Sequence, residues 1–542
     1  MNYADTILCG CSFFAGMELP DDYDYIVLKE GRIVSIGKGE GWKEYVGSET
    51  EVIELPPDSL AVPGFHDSHL HLIMAALNYN FVDLADARSE EEAVQKVYEF
   101  SKTIPDDPWV VGLNWYHMNW ENRQLPTKES LDRYFPDRPV FLTNTEVHGA
   151  WVNSKALELV GITDETPDPD YGEIFRDANG EATGYLNEMA MGLAGKYALK
   201  FTIAREKELI TKVAALFASK GVTAVQDMRP ELGYDLGQYE AFAQLAAENA
   251  LDIRVHSAAN LFDDLDQVME LQQKYNSDKF RLCLLKQYLD GVPTTHTAMV
   301  TEPYLDAPDI MGEPLNDIVK MQQQVEKAHR HGLSVKIHCC GDRAVKQALD
   351  FYEDSINKYG KTASRHAVEH VEIVRPEDVD RFKELDIIAS MQPEHMVIQV
   401  DRYEENPYFD KYSEKQMETS WNFRRLLDKG VRVAFGTDCP VVGIDPLIGI
   451  YRAVTRKFND GKPDEGMQPS QKITVREALH CYTYNSAFGV KREHELGTLE
   501  AGKLADIAVI DKNILNCEPE EIKEAKVLLT LMNGDITYDG RR

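Results

Sequence analysis

The sequence predicts an α/β protein built on a (β/α)8 TIM barrel, with a large insertion after strand one and a small composite β-sandwich domain made from both termini. Three observations support this prediction. Strand-like and helical stretches alternate from residue 221 onward. About 150 residues separate the first barrel strand from the second, where a single helix would need far fewer. Both ends of the chain are rich in short strands and turns.

The barrel prediction depends on eight strand-like runs. One lies near residues 62–71, and the others cover residues 222–227, 253–258, 282–288, 333–338, 367–370, 387–392 and 431–436. Helical stretches such as 204–220 and 317–331 lie between them, and Gly332 is a common type of helix stop. In such a barrel the catalytic side chains gather at the C-terminal ends of the strands.

The two ends of the chain have the same strand-and-turn texture, for example at residues 31–37 and 505–511. We therefore assign residues 1–61 and 496–542 to one β-sandwich domain and residues 62–495 to the barrel. Within the barrel, residues 75–205 form an insertion that we expect to act as a lid over the barrel mouth. The insertion contains four of the six tryptophans, which favours a substrate with an aromatic or aliphatic arm. These are Trp109, Trp115, Trp120 and Trp151.

Composition excludes several classes of partner. The 542 residues carry a formal net charge of −33. Nucleic acids and anionic membranes attract basic surfaces, so this charge argues against either of them as a partner. No run of 18 apolar residues indicates a membrane span, and the mildly apolar residues 7–17 lack the basic flank of a signal peptide. The eight cysteines show no disulfide framework. We expect a cytoplasmic protein with a small-molecule partner, which could form a homodimer.

The stretch from residue 62 to 72 carries three histidines and an aspartate after a Pro-Gly turn. In an extended strand, residues two apart project to the same face, so His69 and His71 point the same way. Two imidazoles on one face of a buried strand form half of a metal site. Taken alone, two hydrogen-bonded core histidines are an equally good interpretation.

Four later strands also end in residues that could serve a metal centre. In chain order these residues are Lys286, His338, His370 and Asp438. Any one of them is weak support. Five of the eight strand ends, at plausible βα spacing and all carrying residues of these types, favour a metal centre at the C-terminal edge of the barrel.

The order His-x-His, Lys, His, His, Asp resembles that of the amidohydrolase superfamily of metal-dependent hydrolases. Several phrases are similar to its third family, which includes N-substituted formamide deformylases. They are Val62-Pro63-Gly64-Phe65, Gly341-Asp342-Arg343-Ala344, Gln392-Pro393-Glu394-His395 and Gly436-Thr437-Asp438-Cys439-Pro440-Val441, together with residues 147–156 and 500–506. The resemblance covers essentially the whole chain, but its motifs are poor guides to the substrate.

The resemblance implies a centre of one or two divalent ions of the Zn²⁺ type. His69 and His71 would bind the more buried α-metal, while His338 and His370 would bind the β-metal. Lys286 would be carboxylated and bridge the two ions, since a lysine buried beside cations loses its proton easily and can then take up CO₂. An unmodified Lys286 with a single metal is the alternative.

The same resemblance implies hydrolysis of a C–N bond in an N-acyl or N-formyl amide. Metal ions lower the pKa of a bound water towards about 7, and Asp438 would touch a metal and act as general base and acid. Hydrolysis of an ester, carbamate or cyclic amide by the same residues is an alternative. A non-catalytic regulatory binding protein on the same fold is another, although such a protein has no need of Asp438.

Three further histidines lie near the implied centre. His395 follows Gln392-Pro393 at the end of strand seven and could reach the substrate, and His148 in the insertion could hydrogen-bond a substrate carbonyl. His66 stands where the family usually has an aliphatic residue. By alternation from His69 it faces away from the centre, so we expect it to be a packing residue.

Three cysteines directly follow proposed site residues. Cysteine can bind Zn²⁺ or act as a nucleophile. Alternation favours buried packing for Cys339 and Cys439, whereas Cys340 has the parity of His338 and could face the centre.

Overall fold

Two compact units make up the chain in the computed structural model, which describes residues 3–145, 148–229, 236–398 and 400–542. Met1–Leu72, Ala214–Arg229 and Phe242–Arg542 form the first, which we call the barrel unit. Ile73–Val213 and Pro230–Ala241 form the second, the insertion unit. Val147, which opens the family-like segment 147–156, lies outside the described residues. The predicted α/β class is confirmed.

The strands of the described residues, in chain order, are β1 Thr6–Cys9, β2 Ser12–Phe13, β3 Tyr25–Lys29, β4 Arg32–Gly37, β5 Glu51–Glu54, β6 Leu60–Pro63, β7 Phe65–Leu70, β8 Val82–Asp83, β9 Val110–Trp115, β10 Val140–Asn144, β11 Gly149–Val152, β12 Gly172–Arg176, β13 Ala182–Glu188, β14 Val222–Asp227, β15 Arg254–Asn260, β16 Phe280–Tyr288, β17 Ser334–Cys339, β18 Ala367–His370, β19 Ile388–Met391, β20 Val433–Phe435, β21 Ile507–Ile510, β22 Val527–Met532 and β23 Asp535–Asp539.

The α-helices of the same ranges are α1 Leu72–Asn80, α2 Glu90–Ser101, α3 Lys128–Asp132, α4 Ser154–Val160, α5 Met191–Ala198, α6 Ile203–Ala218, α7 Tyr239–Ala247, α8 Leu265–Lys274, α9 Ile318–Arg330, α10 Asp342–Tyr359, α11 Pro376–Glu384, α12 Glu414–Glu418, α13 Phe423–Asp428, α14 Pro446–Thr455, α15 Val475–Tyr482 and α16 Tyr484–Gly489. Throughout the described ranges, each helix is too short or too polar to cross a bilayer.

The barrel is a sheet of eight parallel strands in the order β7, β14, β15, β16, β17, β18, β19, β20. Its two outer strands approach each other at their C-terminal ends. There the Asp438 amide donates to the His69 carbonyl oxygen at 2.6 Å, and the His71 amide donates to the Cys439 carbonyl oxygen at 2.9 Å. The sheet is therefore nearly closed, as the eight strand-like runs predict.

Helix α9 shows how the sequence determines the start, the buried face and the end of a helix in the layer outside the barrel. The Asp317 side chain accepts a hydrogen bond from the Lys320 amide at 2.8 Å and caps the first turn. Met321, Val325 and Ala328, spaced one helical turn apart, are buried on one face. Gly332 follows the helix with a φ of +68°, a left-handed conformation that glycine adopts at low cost.

Both termini contribute to the β-domain, as predicted. One sheet has the order β4, β3, β1, β5, and the other has the order β2, β6, β21, β22, β23. A single cluster of buried side chains joins residues from the two ends of the chain, including Leu8, Phe13, Ile26, Ile507 and Leu529. This packing makes the domain composite, since neither terminus supplies a complete core.

The predicted opening strand near residues 62–71 is in fact two strands of different sheets. Strand β6 pairs with β21 in the β-domain, whereas β7 pairs with β14 in the barrel. Only Gly64 separates them, and its amide donates to the Asp506 carbonyl oxygen at 2.9 Å. A continuous apolar pattern does not show where a strand changes partner, which explains the difference from the prediction.

Gly64→Ala is expected to destabilise the fold by about 1–3 kcal/mol. A Cβ at this position would lie 2.2 Å from Thr223 Oγ1, and the neighbouring strands leave little room for adjustment. The free energy of unfolding, measured by chemical denaturation, tests this. Gly192→Ala is the matched control, because its Cβ would meet no atom within 4 Å. Equal denaturant concentrations at the midpoint of unfolding for the two variants would contradict the prediction.

The insertion unit has its own six-stranded sheet, in the order β12, β13, β11, β10, β9, β8. Trp115, Trp120 and Trp151 pack against one another in its core, with ring centroids 5.9 to 6.2 Å apart. Each is at most 2% exposed, and Trp109 is buried as well. The tryptophans therefore hold this unit together, and they give no support to a substrate with an aromatic or aliphatic arm.

Candidate metal centre

Two groups of side chains, all buried except the partly exposed His71, converge at the C-terminal ends of the barrel strands. One consists of His69, His71 and Asp438, and the other of His370, His395 and Asp438. Within each group the nitrogen and oxygen atoms lie within 4.8 Å of one another. Each group offers two imidazoles and one carboxylate, a donor set that suits Zn²⁺ and related divalent ions.

Asp438 belongs to both groups and presents one oxygen to each. Its Oδ1 lies 3.4 Å from His69 Nε2 and 3.3 Å from His71 Nε2. Its Oδ2 lies 3.5 Å from His395 Nε2 and 3.9 Å from His370 Nδ1. A single carboxylate thus stands between two pairs of imidazoles.

The Nδ1 atoms of His69, His71 and His370 are engaged outside the centre. His69 Nδ1 lies 2.5 Å from Glu369 Oε2, and His71 Nδ1 hydrogen-bonds the Met228 carbonyl oxygen. His370 Nδ1 lies 2.9 Å from Gln392 Oε1. Such contacts fix the tautomer, so that Nε2 carries the lone pair that a metal would accept.

Several polar atoms at the centre are buried without a hydrogen-bond partner among the described residues. They are Nε2 of His69, His370 and His395, Lys286 Nζ and Asp438 Oδ1. Buried polar atoms are normally satisfied, because leaving one unpaired costs about 1–3 kcal/mol. Their concentration here is the structural observation that a bound ion would explain.

Electrostatics keeps these groups in the forms that bind metal. Burial lowers the pKa of His69 to about 4 and that of His338 to about 3, so both rings are neutral at pH 7. Burial raises the pKa of Asp438, whereas positive charge on the neighbouring His69 and His71, or on an ion held at the same place, lowers it. With such a charge beside it, Asp438 is ionised.

Lys286 and His338 lie beside the two groups but belong to neither. Burial lowers the pKa of Lys286, whose Nζ lies 4.8 Å from the centre of the Tyr288 ring. The rings of His338 and His370 are 4.2 Å apart. His338 Nε2 faces the Gly291 carbonyl oxygen at 3.3 Å, which leaves Nδ1 as the nitrogen that could face an ion.

Two residues of the centre, His370 and Asp438, have strained backbone conformations. His370 has a φ of 73° and Asp438 a φ of 60°, in the left-handed region that non-glycine residues rarely occupy. Residues held in such conformations cluster at functional sites, where the surrounding structure maintains the strain. The strain at His370 also explains why the sequence did not identify Glu369 as a neighbour of His69. Strict alternation would put Glu369 and His370 on opposite faces, whereas here both side chains reach His69.

His148 lies in the insertion unit, where its exposed ring is 3.0 Å from Glu188 Oε2. Its role at a substrate carbonyl stays a prediction.

Cys339, Cys340 and Cys439 are buried, and Cys340 Sγ lies 3.4 Å from His338 Nε2. Burial raises the pKa of the Cys339 and Cys340 thiols well above the ordinary value, which disfavours a nucleophilic role. No disulfide forms within the described ranges.

His66 is buried and stacks on His256, with ring centroids 5.2 Å apart. Within the part of the chain that the structure describes, neither of its ring nitrogens has a hydrogen-bond partner. Burial lowers its pKa from 6.5 to about 3. The ring is therefore a neutral packing group at pH 7.

His66→Leu is expected to make the fold less sensitive to acid. Below pH 6.5 the unfolded chain takes up a proton that the folded chain cannot accept until about pH 3, so wild-type stability falls as the pH falls through this range. At pH 5 the loss from this one residue is about 2 kcal/mol. Melting temperatures at pH 7.5 and pH 5 measure it, with the exposed His331→Leu as control. An equal loss of stability on acidification in His66→Leu and wild type would refute the prediction.

Comparison with known proteins gives consistent matches along the chain. A profile of the amidohydrolase family matches residues 58–538. The chain is 30% identical over 540 residues to the putative amidohydrolase YtcJ of Bacillus subtilis, covering 98% of each chain. It is 27% identical over 539 residues to an N-substituted formamide deformylase of Arthrobacter pascens, covering 95% of this chain and 94% of that one.

A solved structure is similar in fold along almost the full length. It is the crystal structure of an uncharacterized metal-dependent hydrolase from Pyrococcus furiosus, with a TM-score of 0.77 and 25% identity. The match covers 94% of this chain and 100% of the other.

Proposed function

We propose a function for this chain, which belongs to the amidohydrolase family and is a hydrolase of that superfamily. It cleaves a C–N bond other than a peptide bond in an N-acyl or N-formyl amide. The observation that supports the proposal most directly is the pair of two-histidine groups that share the buried Asp438. The choice of amide is supported by the full-length match to a relative named as an N-substituted formamide deformylase.

One or two divalent ions, with Zn²⁺ as the first candidate, are the proposed cofactor. His69, His71 and Asp438 would hold one ion, and the second would lie near His370, with His338 and Lys286 as the further ligands that the family resemblance implies. The unpartnered buried atoms at these positions fit this assignment. When bound, such ions supply Lewis acidity, which makes water a stronger acid and a carbonyl carbon a stronger electrophile.

Asp438 is the proposed general base and acid. It is ionised and buried, so a proton from an attacking water can be accepted at one of its carboxylate oxygens. The same oxygen can then deliver that proton to the departing nitrogen. An amide nitrogen leaves poorly as an anion, and one carboxylate that performs both transfers removes this barrier.

We propose that Lys286 is carboxylated, so that its two carboxylate oxygens would serve as ligands for the ions. The lowered pKa of its buried amine favours the neutral form, which can form a bond to CO₂ with loss of a proton. An unmodified lysine beside a single ion is the alternative. Carbon-13 NMR of protein equilibrated with labelled bicarbonate distinguishes them, because only the carboxylated amine gives a carbamate resonance.

Assays of a metal-replete protein test the proposed activity. We expect turnover of N-formyl or N-acyl amides, loss of turnover after treatment with a chelator, and recovery on addition of Zn²⁺. Esters, carbamates and cyclic amides belong in the same panel, since the same residues could hydrolyse them. Turnover confined to those compounds would reject the amide assignment. A folded, metal-replete protein that turns over none of them would favour a regulatory binding protein.

A further inference from the structure

We propose that His395 is itself a metal ligand, and that its Nε2 binds an ion together with His370 and Asp438. This inference rests on the proposed metal-dependent function and deepens it. It replaces the sequence-based assignment of His395 to substrate binding, and it adds the end of strand β19 to the strand ends that supply ligands.

Local structure holds the His395 side chain firmly. His395 lies in the short helical turn Pro393–Val397, directly after β19, and is only 4% exposed. The proline at the start of the turn fixes φ there, and the ring stacks on His370 with centroids 5.7 Å apart and planes 13° apart. The imidazole therefore has a defined position beside the centre.

The contacts of His395 repeat the pattern of His69, His71 and His370. In those three residues Nδ1 meets an acceptor outside the centre, and Nε2 is left for an ion. His395 Nδ1 lies 3.5 Å from Glu372 Oε1, and its buried Nε2 has no hydrogen-bond partner in the described part of the chain. A carboxylate behind a histidine is the usual support of a metal-binding imidazole.

With His395, the second group offers a full set of protein ligands before His338 or Lys286 is counted. His370, His395 and Asp438 supply three ligands, the number that catalytic zinc sites commonly take from the protein while one position stays open. His338 is not a member of this group: its Nε2 faces the Gly291 carbonyl oxygen at 3.3 Å and Cys340 Sγ at 3.4 Å, so only its Nδ1 could approach an ion beside His370.

A competing explanation needs no metal. A protonated His395 could form an ion pair with Asp438 on one side and Glu372 on the other, each at 3.5 Å. Both explanations account for the contacts, but only ligation predicts that His395 contributes to ion affinity.

Metal binding by the full-length protein separates the two explanations. Chelator-treated wild type, His395→Asn, Glu372→Gln and His480→Asn are dialysed against fixed concentrations of free Zn²⁺, and bound zinc is counted by elemental analysis. Titration with Co²⁺, followed by its visible absorbance, reports the ligand set directly. His480→Asn is the matched control, since that ring stacks on Tyr484 and belongs to neither metal group.

We expect His395→Asn to lose one ion per chain, or to bind it at least tenfold more weakly, with an altered Co²⁺ spectrum. Glu372→Gln should weaken the same ion by about 10–100-fold, because it removes only the support of Nδ1. Wild-type ion content, affinity and spectrum in His395→Asn would overturn the inference.

If His395→Asn does not fold, Glu372→Gln decides in the same way. Amide turnover by the wild type is assayed separately. Active wild type with unchanged metal binding in the variants would therefore defeat this inference alone, whereas inactive wild type that binds ions would defeat only the proposed amide hydrolysis.

Discussion

Asp438→Asn is expected to lower kcat/KM for an amide substrate by about 10²–10⁴-fold, the usual contribution of a positioned acid–base group. The substitution keeps the size of the side chain but removes its negative charge and its ability to accept a proton. It also replaces one of the two carboxylate oxygens with an amide nitrogen, so one of the two histidine groups loses its oxygen. Steady-state kinetics on protein of known metal content measures the loss.

Metal content and turnover must be read together in this experiment. A variant that keeps its ions but loses turnover points to the proton-transfer role, whereas loss of both points first to metal binding. Asp445→Asn is a suitable control, because Asp445 caps helix α14 and asparagine caps a helix equally well. Unchanged turnover in Asp438→Asn would exclude Asp438 as the base and acid.

Arg254→Met is expected to lower the free energy of unfolding by about 3–5 kcal/mol, because it leaves a buried carboxylate without its partner. Arg254 is fully buried in strand β15. Its Nε and Nη2 each lie 2.8 Å from an oxygen of Asp506, and its Nη1 lies 2.5 Å from Asp278 Oδ2. Asp506 directly precedes strand β21, so the pair joins the barrel to the β-domain.

Denaturation monitored by circular dichroism measures this effect. Lys512→Met is the matched control, since the Lys512–Glu521 pair is partly exposed to solvent and surface pairs contribute about 0–1 kcal/mol. The double variant Arg254→Met/Asp506→Asn should recover part of the loss, because it removes the unpaired charge. A loss no larger than that of the control would contradict the buried-pair argument.

Much of the barrel could be predicted because its strands are short apolar runs at regular spacing. The same regularity placed His69, His71, His370 and Asp438 at strand ends, and these side chains do converge. Period-two alternation also placed His66 away from them, where it stacks on His256.

Alternation failed wherever the chain leaves regular geometry. The left-handed backbone at His370 puts its ring on the same side as Glu369, next to His69, and the pattern of residue types does not predict such a conformation. The sequence analysis identified His395 but assigned it to the substrate, because it lies in a helical turn beyond the end of its strand, where alternation does not predict which way a side chain faces. The tryptophan content is no guide to the substrate, because composition shows that aromatic residues are concentrated without showing whether they face a ligand or a core.

The position of Asp438 makes the two proposed ion sites thermodynamically dependent on each other. Because its two oxygens face different histidine pairs, an ion on one side alters the charge and orientation that the other side offers. By linkage, whatever factor the first ion applies to the affinity of the second, the second must apply to the first. Metal binding at the two sites should therefore be cooperative and should not fit a model of two independent sites. Asp438 is the residue that would couple them.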